Sequence, residues 1–334
     1  MFYRDVSLPA IVEIGKNKAQ DLGALLNKNH LYFEKMILFT QKELAELFHD
    51  FINEQAYYKV VIIQGGNFEE IDKVVYEECF NDALFIAFGG GSVIDFVKMY
   101  ATKHQNQFIS MPSTLTNDAI YSPIARLTVN GVKKSHGVKS PIGIIVDTDI
   151  VKQSPELFLI AGVGDLISNL SAVKDCKLGI EALGEKIDNF SMYLSKSCVD
   201  GILHFNRKDI FTDEFIEKLS IGLILSGLSM NLSQSSRPAS GSEHLISHAI
   251  DEFFPEKSTL HGLQVSWAQL MVEKHVRQDL DEYQRLHHYF KKIGLLNAFE
   301  EHIRFTELEF FDLLPLAIKT RKRYTVLDVY FNRA

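Results

Sequence analysis

The stretch that decides the fold is ALFIAFGGGSVIDFVKMYATKH, residues 83–104, where a short apolar run leads through three glycines into a segment of helical pattern. This order places the free N–H groups and the positive dipole end of a helix beside the turn, which suits an anion such as a pyrophosphate. Gly89, Gly90 and Gly91 allow close backbone approach, and we expect Ser92 to cap the helix. The GxGxxG spacing is absent, and an ordinary strand-to-helix turn can have the same residues.

The first half of the chain alternates short apolar runs with helical patterns. This alternation predicts a parallel sheet wound with helices, because strands buried on both faces are short and rich in Ile, Val and Phe. Asn130 and Gly131 lie between two alternating segments, which predicts a β-hairpin with a type I′ turn. The predicted strands of the sheet are MILFT at 36–40, KVVIIQ at 59–64, ALFIAF at 83–88 and QFISMP at 107–112.

The second half of the chain reads as helical, because apolar residues recur there with a period near 3.6. Ser154 and Pro155 suit the N-cap and first residue of a helix. We therefore predict two domains, an α/β domain at residues 1–153 and an all-helical domain at residues 154–334.

Composition excludes several classes of protein. A formal net charge of −8 argues against a nucleic-acid-binding protein that neutralises phosphates. Cys79, Cys176 and Cys198 have no CxxC spacing, which indicates neither a disulfide framework nor a cysteine zinc site. No apolar run approaches the roughly 20 residues that span a bilayer. We expect a cytoplasmic protein without a membrane span that forms homo-oligomers.

A candidate metal site lies in the helical half. His244 and His248 are four residues apart, which places both imidazoles on one helical face, and His261 follows before another helix. Asp165 comes near the opening of a helical segment, where a carboxylate can act as a third ligand. Asp165, His244 and His261 would make a three-ligand site with room for a substrate oxygen. The same residues also suit a helix cap and ordinary surface or core histidines.

Six segments in this order resemble the glycerol-1-phosphate dehydrogenases, within the iron-containing alcohol dehydrogenase and dehydroquinate synthase superfamily. They extend across nearly the whole chain, and their combination is more specific than any one of them. The segments are GGGSVIDFVK, PSTLTNDAIYSPIARL, AGVGDLISNLSAVKD, SRPASGSEHLISHAID, LHGLQV and RKRYTVLD. The resemblance implies an N-terminal dinucleotide-binding α/β domain, a helical C-terminal domain that binds metal and substrate, and an active site between them.

The resemblance also implies roles for single residues. Asp165, His244 and His261 match the metal ligands, His248 matches a histidine on the substrate side, and Asp118 matches a substrate-contacting carboxylate. We therefore predict Asp118, His248 and Asp165 as catalytic residues. The residues that match positions contacting NAD or NADP are Gly89, Gly90, Gly91, Ser92, Asp95, Ser113, Thr114, Leu115, Thr116 and Ser122.

Several details stay open in the sequence. Leu263 stands where family members often have an acidic residue. Asp and His ligands suit zinc best, although nickel or iron can occupy similar sites. A carboxylate after the second strand would favour NAD over NADP, and Glu69 and Glu70 are candidates. The candidates for binding a substrate phosphate are Arg237, Lys139 and Lys174.

The implied activity is the metal-dependent interconversion of dihydroxyacetone phosphate and sn-glycerol 1-phosphate, or of a related polyol phosphate, with NAD or NADP. Two alternatives have the same scaffold: a glycerol or polyol dehydrogenase, and a cyclase similar to dehydroquinate synthase. A third is a non-catalytic binding protein, since a fold does not fix a function.

Overall fold

The computed structural model describes residues 8–20 and 22–333. The remaining residues of the two predicted domains, 1–7, 21 and 334, lie outside the described residues. The chain divides into two compact units. The first contains the described residues up to Leu115 together with Ala119–Ser154, and the second contains Thr116–Asp118 and the chain from Pro155 onward.

The first unit is built on a six-stranded sheet in which every neighbouring pair is parallel, as predicted. The strands of this sheet are β1 (Ile11–Gly15), β2 (Met36–Thr40), β3 (Lys59–Ile62), β4 (Leu84–Gly89), β5 (Gln107–Pro112) and β8 (Gly143–Asp147). The strand order is β1-β8-β5-β4-β2-β3. All six residues of β4 are buried, because the central strands are covered on both faces.

The helices of the first unit are mostly short, and one of them follows the glycine run directly. They are α1 (Leu22–Lys28), α2 (Lys42–Leu47), α3 (His49–Glu54), α4 (Phe68–Lys73), α5 (Gly91–His104) and α6 (Thr148–Val151). Strands β2, β4 and β5 are neighbours in register, with Gly89 opposite Pro112. The loops at their carboxyl ends therefore lie along one edge of the sheet, where open parallel sheets bind ligands.

The predicted hairpin is confirmed. Strands β6 (Ile124–Val129) and β7 (Val132–Gly137) pair in antiparallel register. Asn130 and Gly131 form the turn with φ values of 51° and 80°, both in the left-handed region that a type I′ turn requires.

The second unit contains helices and, among its described residues, no strand, which confirms the all-helical prediction. Its α-helices are α7 (Glu156–Leu183), α8 (Asn189–Ser197), α9 (Asp213–Ser233), α10 (Ser242–Phe253), α11 (His261–Met271), α12 (Leu280–Ile293), α13 (Leu295–His302), α14 (Glu307–Thr320) and α15 (Val326–Tyr330). Short 3₁₀ turns lie at Arg207–Asp209, Arg237–Ala239 and Pro255–Lys257, and a π-helical turn at Val272–Arg277 extends α11.

The start of α7 differs by one residue from the prediction. Pro155 is the N-cap and Glu156 the first helical residue, while the Ser154 hydroxyl donates to the carbonyl of Val151 and caps nothing. Helix α7 also begins five residues before the motif AGVGDLISNLSAVKD, which starts at Ala161. Asp165 is consequently the tenth residue of α7, in its interior, and the expectation that it lies near a helix opening is wrong.

Helices α7 and α9 are long and apolar enough to cross a membrane by length and composition. The most apolar 18-residue windows of the two helices are 78% and 61% buried within the protein. Buried core helices commonly meet the same criteria, so these two helices are weak evidence for a membrane span.

Candidate functional site

The glycine run forms the predicted strand-to-helix turn. Strand β4 ends at Gly89, and α5 begins at Gly91 with Gly90 as its N-cap. Ser92 is exposed and lies inside the first turn, so the prediction that its side chain caps the helix is wrong. The first turn of α5 has no acidic residue. Its free N–H groups and positive dipole end are therefore not neutralised within the helix, which suits a phosphate.

The loop after β5 lies beside the glycine turn. The N–H of Ser113 donates to the carbonyl of Gly89 at 3.0 Å. A Cβ atom added to Gly90 would lie 3.3 Å from Cγ2 of Thr114 and would fill the space between them. Because glycine has no side chain, that space stays open. The Thr114 hydroxyl is buried and has no hydrogen-bond partner among the described residues. An unpaired buried hydroxyl beside a helix amino terminus fits the oxygens of a bound pyrophosphate.

The other residues predicted to contact the cofactor differ in their surroundings. Leu115 is fully buried. Thr116 is partly exposed and belongs to the second unit. Asp95 and Ser122 lie together in a buried polar network of the first unit.

Lys98 is the centre of that network. Its ammonium donates to Asp95 and to the Ser122 hydroxyl, both at 3.1 Å, and to the carbonyl of Ile124 at 2.9 Å. The other Asp95 oxygen accepts the N–H of Arg126. Burial raises the pKa of Asp95, while Lys98 and the Arg126 N–H act in the opposite direction. The side chains of Asp95 and Lys98 therefore connect helix α5 to strand β6 of the hairpin.

A cavity of about 830 Å³ lies at the carboxyl ends of β2 and β3. Gln41 and Lys42 follow β2 there, and the first carboxylate after the strand is Glu43. Glu69 and Glu70, the two candidate carboxylates for binding the ribose of NAD, both accept hydrogen bonds from backbone N–H groups. Glu70 accepts the N–H groups of Gln64 and Gly65, and Glu69 accepts the N–H of Asn130.

The three predicted metal ligands come together in the second unit. One possible ligand atom from each of Asp165, His244 and His261 lies within 4.8 Å of the other two. The residues come from α7, from the first turn of α10 and from the first position of α11. Nε2 of His261 is 3.7 Å from Oδ1 of Asp165. Tetrahedral ligands at metal distances near 2.1 Å are about 3.4 Å apart, so this spacing fits a divalent ion.

The electrostatics of the cluster also fit a cation. Asp165 is 5% exposed, and burial raises its pKa well above the ordinary value. The nearby carboxylates of Asp118 and Glu243 raise it further, while the N–H of Asp118 lowers it. Buried acidic groups gathered around two histidines are costly to ionise without a compensating charge. A bound divalent ion would supply that charge.

Each of the three candidate ligands has a polar neighbour, and of these neighbours the sequence predicted a role only for Asp118. Nδ1 of His244 is 2.8 Å from Oε1 of Glu243, and Nδ1 of His261 is 3.1 Å from the Ser247 hydroxyl. The N–H of Asp118 donates to Oδ2 of Asp165 at 3.0 Å. Glu243 directly precedes His244, and this adjacency was the available sequence signal for it.

His248 and Asp118 lie close to this cluster. His248 is 8% exposed, and its ring centroid is 6.4 Å from that of His244. Asp118 belongs to the second unit, and its carboxylate accepts a hydrogen bond from Ser226. Leu263, which replaces an acidic residue of the family pattern, is fully buried in α11.

Two of the three candidate phosphate-binding cations are engaged in ion pairs. Lys174 contacts Glu273 and Asp279. Arg237 is buried and pairs with Glu185 at 2.7 Å. The third, Lys139, is exposed in the first unit.

Cysteine chemistry does not contribute to the cluster. All three cysteines are free thiols, as predicted. Burial raises the pKa of Cys176 and of Cys198 to about 12, which leaves both as inert thiols near neutral pH.

The chain is similar to known proteins in both sequence and fold. Residues 13–155 match the family model described as iron-containing alcohol dehydrogenase. A glycerol-1-phosphate dehydrogenase [NAD(P)+] of Methanococcus vannielii is 32% identical, with 96% of this chain and 94% of the relative covered. The chain belongs to the glycerol-1-phosphate dehydrogenase family. Another member, from Pyrococcus horikoshii, is 33% identical over 78% of this chain and 76% of its own length.

Solved structures show the same fold as this member of the glycerol-1-phosphate dehydrogenase family. A probable glycerol dehydrogenase from Sinorhizobium meliloti has a TM-score of 0.76 at 18% identity, covering 99% of this chain and 98% of its own. A sulfoacetaldehyde reductase from Bifidobacterium kashiwanohense, solved with NAD+, has a TM-score of 0.72 at 15% identity, covering 99% of each chain.

Proposed function

We propose that this protein is a metal-dependent dehydrogenase that reduces dihydroxyacetone phosphate to sn-glycerol 1-phosphate with NADH or NADPH, and catalyses the reverse oxidation. The observation that carries the proposal is the cluster of Asp165, His244 and His261, whose candidate ligand atoms lie within 4.8 Å of one another. Family membership supplies the substrate, since the curated relatives are named glycerol-1-phosphate dehydrogenases.

The reduction adds a hydride to the carbonyl carbon of the substrate and a proton to its oxygen. When bound, the divalent ion supplies polarisation of that oxygen, and the nicotinamide supplies the hydride. The three side chains suit zinc as the first candidate, because two imidazoles and one carboxylate match its catalytic sites. Three protein ligands leave a coordination position for the substrate.

The chain's own groups hold the site and move the proton. The N–H of Asp118 fixes one Asp165 oxygen, and the Ser226 hydroxyl fixes the carboxylate of Asp118. His248 is buried beside His244. We assign the proton relay to His248 and Asp118, because imidazole exchanges protons near neutral pH and a carboxylate can pass a proton on.

The proposed dinucleotide site is the glycine turn at 89–91 with Ser92, Ser113 and Thr114. The amino terminus of α5 and the unpaired Thr114 hydroxyl support a pyrophosphate there. Lys42 follows β2 at the cavity edge, whereas Glu69 and Glu70 accept backbone N–H groups. We therefore propose that the site accepts the 2′-phosphate of NADP as well as NAD. Initial rates with NADH and NADPH at equal concentrations test this, and turnover with NADH alone would contradict it.

The test of the function uses the reverse direction. The metal-loaded protein is given sn-glycerol 1-phosphate, its enantiomer sn-glycerol 3-phosphate, or glycerol, and formation of the reduced cofactor is followed by absorbance. We expect oxidation of the 1-phosphate at a rate well above the other two. Equal rates with glycerol would indicate a general polyol dehydrogenase. Release of inorganic phosphate without net cofactor reduction would indicate a cyclase.

A further inference from the structure

The carboxylate of Glu243 contacts one nitrogen of His244. Oε1 of Glu243 lies 2.8 Å from Nδ1 of His244, and Glu243 is fully buried. Oε1 already accepts the N–H of Gly241, and a carboxylate oxygen that accepts hydrogen bonds pairs with a protonated Nδ1 in a neutral His244 ring. The lone pair of Nε2 is then available for a metal.

His261 has the same arrangement with a weaker partner. Its Nδ1 lies 3.1 Å from the Ser247 hydroxyl, and its Nε2 faces Oδ1 of Asp165 at 3.7 Å. A hydroxyl can donate or accept, so Ser247 orients the ring without fixing its tautomer by charge. Glu243 is therefore the stronger of the two orienting groups.

The position of Glu243 is itself set by the loop before α10. The N–H of Gly241 donates to Oε1 of Glu243 at 2.6 Å, and the N–H of Ser242 donates to Asp175 at 2.6 Å. A Cβ atom at Gly241 would lie 2.6 Å from Oδ2 of Asp175 and 2.9 Å from Oε2 of Glu243, so only glycine fits without a shift.

The C-terminal segment secures the same loop. The Arg323 guanidinium donates to the Ser240 hydroxyl and to the Ser236 hydroxyl, each at 2.7 Å. The N–H of Val326 donates to Asp175 at 3.0 Å. These bonds give a physical role to the RKRYTVLD motif, since they hold the loop that leads into α10 and its residues Glu243 and His244.

We propose that Glu243 is a positioning residue that holds His244 in the Nδ1–H tautomer and directs its Nε2 to the divalent ion, and that Ser247 orients the His261 ring without fixing its tautomer. This inference rests on the proposed metal site. Carboxylate partners of metal-binding histidines fix the ring orientation and raise its basicity, and their loss lowers metal affinity by about 10–100-fold.

The experiment measures Zn²⁺ affinity by competition with a chromophoric chelator, using full-length protein freed of metal by dialysis. The variants are Glu243→Ala, Glu243→Gln and Ser247→Ala, with Glu252→Gln as the control because Glu252 is exposed on the same helix. We expect Glu243→Ala to weaken binding by about 10–100-fold. Glu243→Gln should recover part of the loss, since its amide oxygen can still accept from Nδ1. Ser247→Ala should cost less than Glu243→Ala, and the control should match wild type.

The outcomes separate the inference from the function. If wild type binds Zn²⁺ and a folded Glu243→Ala variant binds it equally tightly, the positioning role alone is overturned. Wild type that binds no divalent metal overturns both. A second measurement does not depend on the variants: long-range ¹H–¹⁵N correlation spectra of metal-free wild type, with His244 assigned by its loss in His244→Asn. We expect a protonated Nδ1 and a bare Nε2, and the opposite tautomer would overturn the proposal.

Discussion

Gly262 lies directly against the backbone of Ala161, so that a Cβ atom added to Gly262 would overlap the carbonyl oxygen of Ala161 and lie 2.6 Å from its carbonyl carbon. A Cβ atom at Gly164 would likewise lie 2.6 Å from the Ser266 hydroxyl. Helices α7 and α11 therefore meet backbone to backbone. Asp165 and His261 follow and precede these glycines, and the close approach of the two helices brings their ligand atoms to 3.7 Å.

The variant Gly262→Ala tests this dependence. The added methyl group must push the two helices apart, which costs about 1–3 kcal/mol or more in a packed interior. We expect a lower free energy of unfolding, measured by urea denaturation, and weaker Zn²⁺ binding by the folded fraction. Gly201→Ala is the control, because nothing lies within 4 Å of its added Cβ atom. Equal stability and metal affinity in Gly262→Ala and wild type would contradict the account.

His248 and the proposed ligand His244 should respond differently to substitution. We expect His244→Ala to lose bound zinc and activity together. His248→Asn should retain one zinc per chain by elemental analysis and lose about 10²–10⁴-fold in kcat, the usual contribution of a general acid or base. Loss of zinc from a folded His248→Asn protein would instead identify His248 as a ligand.

The buried pair Asp95 and Lys98 should act mainly on stability. Replacing Lys98 by Met leaves a buried carboxylate without its cation, which costs about 3–5 kcal/mol. The double variant Asp95→Asn with Lys98→Met removes both charges, so we expect it to lose less than the single variant in urea denaturation. A double variant that loses as much stability as Lys98→Met, or more, would contradict direct coupling between the two side chains.

Ser92→Ala is the comparison for the Asp95 and Lys98 variants, because it should change cofactor binding and leave stability unaltered. Ser92 is exposed and does not cap α5, so this change should leave stability unaltered. It should lower affinity for the dinucleotide, measured by fluorescence titration with NADH. Unchanged NADH affinity in Ser92→Ala would remove Ser92 from the proposed cofactor site.

Glu309 should make stability depend on pH. Hydrogen bonds from the Thr306 N–H, from Lys257 and from the Thr306 hydroxyl lower the pKa of Glu309 from 4.5 to about 2. A carboxyl whose folded pKa is lowered contributes stability above its unfolded pKa and loses it as the pH falls. We expect Glu309→Gln to be less stable than wild type at pH 7, with a gap that begins to close below about pH 5. A gap in the urea midpoints that is the same at pH 7 and pH 4 would exclude this charge effect.

Much of the fold was predictable because its signals are local. Short apolar runs at β2, β4 and β5 predicted the sheet, and Asn130 with Gly131 predicted the hairpin turn. The helix starts were less predictable, since a cap depends on one or two residues. Gly90 rather than Ser92 caps α5, and Pro155 rather than Ser154 precedes α7.

The candidate ligands were found by motif, but the hydrogen bonds that hold them were not. The bond from the Asp118 N–H to Asp165 joins residues 47 positions apart. The Lys98 network joins α5 to residues 24 and 26 positions away, and it includes Asp95, a predicted cofactor residue. Such partners follow from tertiary packing, which a local pattern does not contain.

The most direct test of the central claim is the rate of NADPH or NADH oxidation by metal-free and zinc-loaded protein, with dihydroxyacetone phosphate or dihydroxyacetone as substrate and Asp165→Ala as the inactive control. We predict turnover only in zinc-loaded wild type, with kcat/KM for the phosphorylated ketone at least about 100-fold higher, since a site built to pair a charged group rejects an analogue that lacks it. Equal rates with both ketones, or undiminished turnover by metal-free protein or by Asp165→Ala, would contradict the account.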